Sequence, residues 1–156
     1  MRNTHMTTLL ESTLQHLEAL VSFDTRNPPR AISARGGIFD YLREHLPGFT
    51  VEVIDHGAGA VSLYAPRFLL NVHLDTVPDS PAWSADPHVM RRLDDRVVGL
   101  GVCDIKGAAA ALLAAASATQ GDAAFLFSSD EEANDPRCID AFLARKIPYD
   151  AVLVAE

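Results

Sequence analysis

Cysteine is scarce in this chain, which carries only Cys103 and Cys138. Two thiols are too few for a disulfide scaffold, so both are expected to be buried free thiols in a reducing compartment. Positive charge is also short. Thirteen Lys and Arg stand against 21 Asp and Glu, a net charge of −8. That balance argues against a nucleic-acid or anionic-membrane partner, because both need clustered Lys and Arg. No long hydrophobic run is present. The longest weakly apolar stretch, Gly107–Ala118, is mostly alanine and too short to span a bilayer. The first six residues, MRNTHM, are polar and lack a signal-peptide core, so a cytoplasmic location is expected. Gly99-x-Gly101 lacks a third glycine at phosphate-loop spacing, and Ser128-Ser129 lacks the Gly-x-Ser-x-Gly setting of a nucleophile. Nucleotide binding and serine hydrolysis therefore have little support.

What is there fits a folded domain: 156 residues, 48% hydrophobic and 22% charged. Leu10, Leu14, Leu17 and Val21 lie on one helical face, and Asn27-Pro28-Pro29 halts regular structure. Ile38, Phe39, Leu42 and Leu46 form a second amphipathic helix ended by Pro47-Gly48. Phe49, Val51 and Val53 alternate with polar residues as in a half-exposed strand. Ala60–Tyr64 reads as a strand, followed by Ala65-Pro66-Arg67 and the apolar run Phe68–Val72. Val89–Leu93 and Arg96–Leu100 flank Asp94-Asp95 as a hairpin. Ile105–Ala118 is helical by alanine content, and Pro136–Arg145 is an amphipathic helix. Ala123–Phe127 and Ala151–Ala155 are short apolar runs. Apolar runs alternating with helices predict an α/β fold, a mostly parallel sheet with helices on both faces.

Three of these apolar runs end on residues that bind metals. Phe68–Val72 leads to His73 and Asp75, Ala123–Phe127 to Glu131 and Glu132, and Ala151–Ala155 to Glu156. Asp104 closes a fourth segment just before the alanine-rich helix. Open α/β sheets bind ligands beyond the carboxyl ends of their strands. Parallel neighbours would therefore gather an imidazole and several carboxylates, a set suited to Zn, Mn or Co. Each residue also has a plainer explanation. A single strand-end histidine usually packs or faces water, an acidic run usually faces water, and Asp104 alone could cap a helix. Their joint placement at strand ends weakens those explanations. His73 and Asp75 are two apart and share a face if the strand geometry persists, so the carboxylate can orient the ring. His5, His16, His45, His56 and His88 lack such company and are read as surface or core residues, and Cys103 as packing.

Four motifs in this order carry a resemblance: His73-Leu74-Asp75-Thr76-Val77-Pro78, Gly99–Gly107, Asp130-Glu131-Glu132 and the strand-terminal Glu156. The chain resembles the di-metal aminoacylase, acetylornithine deacetylase and succinyl-diaminopimelate desuccinylase family. Trp83–Pro87, Ser22–Pro29 and Phe125–Cys138 resemble its arginine-biosynthesis deacetylase branch. The resemblance implies a zinc-exopeptidase-like catalytic domain that hydrolyses the amide of an N-acetylated amino acid, N-acetylcitrulline or N-acetylornithine. A desuccinylase, a metallo-dipeptidase or a non-catalytic fragment are the alternatives.

The roles it implies are these. His73, Asp104 and Glu156 bind the first of two divalent metals, Zn or Co. Asp104 bridges to the second, which Glu132 also binds. Asp75 supports His73, and Glu131 is the general acid and base. The bond between Asp104 and Ile105 is expected to be cis. Residues 1–156 are expected to be the N-terminal part of the catalytic domain. The lid and dimerisation domain, the rest of the catalytic domain and a second histidine ligand are then absent, and the connection at Ala65-Pro66-Arg67 is shorter than usual. The full-length protein is expected to be a homodimer.

Overall fold

The computed structural model describes residues 2–29, 31–65, 68–119, 123–147, 149 and 151–156. Side chains of residues 2–7, 64, 65 and 68 lie outside that description, as do Pro66 and Arg67 of the expected short connection and the His5 ring. The helices are α1 (Arg2–Ser22), α2 (Gly37–Glu44), α3 (Gly107–Ala118) and α4 (Arg137–Ala144). The strands are β1 (Glu52–Asp55), β2 (Val61–Ala65), β3 (Phe68–His73), β4 (Arg91–Arg92), β5 (Val97–Val98), β6 (Ala123–Ser128) and β7 (Val152–Val154). No described helix is long and apolar enough to cross a membrane.

The main sheet has the order β1-β2-β6-β3-β7. β2 runs antiparallel to β1 and β6, while β3 runs parallel to both β6 and β7. Four of the five strands therefore point the same way, and β2 alone is reversed. β6 is apolar from Ala123 to Phe127 because both its faces are covered. Phe125 and Phe127 face the larger core with Val72, Leu113 and Phe39, whereas Ala124 and Leu126 face a smaller cluster with Leu69 and Phe142 of α4. α1, α2 and α3 thus cover one face and α4 the other, the arrangement expected from the alternation of runs and helices. β4 and β5 form the expected hairpin, reduced to two paired residues per strand and closed by a bond from Leu93 N–H to the Arg96 carbonyl (2.8 Å).

Two local readings are corrected. Leu10 is 60% exposed rather than on the buried face of α1. Among the described side chains of α1, the buried ones are His16, Leu17, Leu20 and Val21, in its second half. The strand expected from Phe49 begins at Glu52. Phe49 precedes the ladder and packs edge-on against Phe125, with centroids 5.2 Å apart. Its alternation with Val51 reflects core contact without strand pairing.

Leu113 is fully buried where α3 meets the sheet. Leu113→Ala should cost about 2–5 kcal/mol of stability, read by urea unfolding.

Candidate metal centre

The parallel register places His73 of β3 opposite Ser128 of β6, and pairs Asn71 with Val154 of β7. The segments leaving these three strands therefore start at one edge. His73 is 7% exposed there. Its Nδ1 lies 3.1 Å from the Asp75 backbone carbonyl and 3.4 Å from Asp75 Oδ1. Its Nε2 faces the opening, 3.1 Å from Asp104 Oδ1 and 3.9 Å from Glu131 Oε2. One ligand atom each from His73, Glu131 and Glu132 lies within 4.8 Å of the other two. Asp104 and Glu156 do not enter that tight set. Asp104 joins through His73, and Glu156 lines the same cavities as His73 and Glu131. Those cavities have volumes of about 430 and 340 Å³.

Asp104 reaches the edge through a turn over Val102–Lys106, in which its own backbone is non-helical (φ −118°, ψ 94°). The bond between Asp104 and Ile105 is cis, as the resemblance implied. Gly101 precedes the turn at φ +77°. A Cβ there would approach the Thr76 side chain to 2.7 Å at Cγ2, so both the positive φ and the packing of Thr76 require glycine.

Charge dominates the centre. Burial disfavours a proton on His73, but the Asp75 carboxylate, then Glu131 and Asp104, outweigh it and push the imidazole up to about 9. Glu132 is raised, first by burial and then by repulsion from Asp104, with further repulsion from Glu131 and Asp75. The field of this edge favours a cation.

Two residues near the site had no role assigned from sequence. Lys106 is fully buried, and its Nζ donates to the Phe23 carbonyl at 3.3 Å. Burial pulls its ammonium down to about 8 against the opposing charges of Asp24 and Asp75. Its place in the Asp104–Gly107 motif was the available signal. Asn27, read as a helix stop and as part of the Ser22–Pro29 resemblance but given no role, is buried and donates from Nδ2 to Asp75 Oδ2 at 3.0 Å. No local pattern marks that pairing, because the partners are 48 residues apart.

Other motifs resolve as structure. Ser129 Oγ accepts from Val61 N–H at 2.7 Å and faces the carbonyls of Val61 (2.9 Å) and Gly59 (3.2 Å). It ties β2 to the end of β6. Cys138 is buried as expected, but Cys103 is exposed and lines the smaller cavity beside Asp104. The expectation of two buried thiols therefore fails at Cys103, because the turn before α3 is not extended and carries its side chain outward.

A model of peptidase family M20/M25/M40 matches residues 69–156, a span that includes all six candidate site residues. The chain belongs to that family. Enzymes of the M20 family are metal-dependent hydrolases. This M20 chain is 82% identical over 155 residues to N-acetyl-L-citrulline deacetylase of Xanthomonas campestris pv. campestris, covering 97% of the chain and 42% of the relative. It is 31% identical over 130 residues to succinyl-diaminopimelate desuccinylase of Wolinella succinogenes, covering 78% of the chain and 34% of the relative. The M20 family metallo-carboxypeptidase of Sulfolobus solfataricus shares the fold, with a TM-score of 0.70 at 19% identity, over 92% of this chain and 37% of that one. The chain thus spans less than half the length of these relatives.

Two predictions arise from the cysteines and from Ser129. Burial, with Asp130 alongside, pushes the Cys138 thiol up to about 12, despite a favourable backbone hydrogen bond from Ser129. At pH 7 iodoacetamide should modify Cys103 and leave Cys138 intact until the protein is unfolded, as read by peptide mass. Ser129→Ala removes the hydroxyl partner of a buried N–H and should cost about 1–3 kcal/mol in chemical denaturation.

Proposed function

We propose that this chain carries the first part of a metal-dependent amidohydrolase that converts an N-acetylated amino acid to acetate and the free amino acid. The observation that carries this reading is the convergence of His73, Glu131 and Glu132 at the ends of parallel strands, with Asp104 3.1 Å from the ring. The 82% identity to N-acetyl-L-citrulline deacetylase supports N-acetylcitrulline as the substrate, with N-acetylornithine next in chemistry.

The donor set suits divalent cations. It combines one imidazole with several carboxylates, and Glu132, raised first by burial, is raised further by repulsion from Asp104. In this reading His73, Asp104 and Glu156 hold one ion, and Asp104 and Glu132 contribute to a second. Zinc or cobalt ions, a homodimeric full-length protein and a cytoplasmic location belong to the same proposal. Bound there, the ions would polarise the amide carbonyl and acidify water.

The protein's own groups do the rest. Asp75 holds the ring so that Nε2 faces the opening, where the Asp104 carboxylate lies. Glu131 is 55% exposed and so open to a substrate. It takes a proton from the attacking water and returns it to the leaving amine nitrogen. The carbonyl carbon gains the water oxygen as the C–N bond breaks, and both water protons end on the leaving nitrogen, so water and amide become carboxylate and ammonium.

Glu131→Gln in the full-length protein should retain bound metal yet lower N-acetylcitrulline turnover by at least about 100-fold. Metal analysis with an acetate-release assay checks both. Undiminished turnover removes Glu131 from the mechanism, and faster release of succinate from N-succinyl-diaminopimelate than of acetate moves the reading to a desuccinylase.

A further inference from the structure

The Phe23–Asn27 segment packs behind the metal centre and is stitched to the loop after His73. Asn27 N–H donates to the Thr76 carbonyl at 2.8 Å, and Thr76 N–H to the Thr25 carbonyl at 3.1 Å. Arg26 pairs with Asp79 further along the same loop. Lys106 reaches the Phe23 carbonyl from the other side. The backbone of the segment is therefore held without the Asn27 side chain, which is directed at Asp75.

At Asp75 the hydrogen bonds are unequal. Oδ2 accepts from Asn27 Nδ2 at 3.0 Å and from Glu132 N–H at 3.1 Å. Oδ1 is buried, has no hydrogen-bond partner among the described residues, and lies 3.4 Å from His73 Nδ1. Two donors on one oxygen fix the rotation of the carboxylate about its Cβ–Cγ bond. That rotation leaves Oδ1 facing the ring. The carboxylate only accepts, so an amide nitrogen suits this place and a carboxylate does not.

We propose that Asn27 is a positioning residue for the metal centre, acting through Asp75 to hold His73 with Nε2 toward the opening. The proposal rests on the reading of His73 as a metal ligand. Partners that orient a ligating histidine are themselves hydrogen-bonded, and losing such support costs about 10–100-fold in metal affinity or activity. Asn27 extends that support one residue further, from a part of the chain 46 residues before the histidine.

The test is cobalt(II) affinity, measured by chelator competition on full-length protein freed of metal. Asn27→Ala and the isosteric Asn27→Asp should each weaken binding about 10–100-fold. In an Asp75→Ala background, or Asp75→Leu if that variant does not fold, Asn27→Ala should have no further effect. A residue acting only through Asp75 loses its influence when Asp75 is gone, whereas a merely structural residue would add its loss. Unchanged affinity in Asn27→Ala, or additive losses in the double variant, overturns the proposal. His73→Ala separates the two levels. If it leaves cobalt affinity unchanged, the underlying ligand reading fails; if it weakens affinity while Asn27→Ala does not, only the role of Asn27 falls.

Discussion

The parallel pairing of β3 between β6 and β7 is the constraint on which the rest of the molecule depends. It gives three strands a common direction, and the segments that leave them start at the same edge. His73 and Glu131 meet there although 58 residues separate them. A one-residue slip of β3 would turn His73 to the opposite face and bring Asn71 and Leu69 out of register with their neighbours. The apolar continuity of β6 protects the register, since Phe125 and Phe127 fill one core while Ala124 and Leu126 fill the other.

The edge so assembled is electrostatically uncomfortable. Carboxylates crowd one imidazole, raise its proton affinity and repel Glu132. The repulsion among the carboxylates works against folding, and it persists because apolar packing on both faces fixes the strands. The buried polar chain running from Asn27 to Asp75 to His73 continues the same logic inward. Each group is held by the one behind it, and the outermost atom is the imidazole nitrogen that faces the opening.

Much of this was legible in the residues. Run lengths and alternation gave the helices, the apolar strands and the coverage of both sheet faces. The strand-end positions of His73, Glu131, Glu132 and Glu156 already suggested one site. Among the features that escaped, three show why. α1 repeats leucines along a face longer than its docking surface, so Leu10 looked buried and is exposed. Cys103 looked like packing because extended geometry was assumed where the chain turns. Asn27 looked like a helix stop, since hydrogen bonds across 48 residues leave no periodic trace.

By itself the sequence determined which residue types were available and roughly where helices and strands lie, because propensity and amphipathic period act over a few residues. The four motifs carried the family resemblance in the same local way. Only the tertiary structure decided which of those residues meet. It placed Glu131 and Glu132 in the tightest donor set and left Glu156 at the cavity wall. It also brought Asn27 and Lys106 behind the site from distant segments. The reason is physical: strand order, register and the path of a turn are settled by burial of the whole core, and no short stretch of sequence contains that sum.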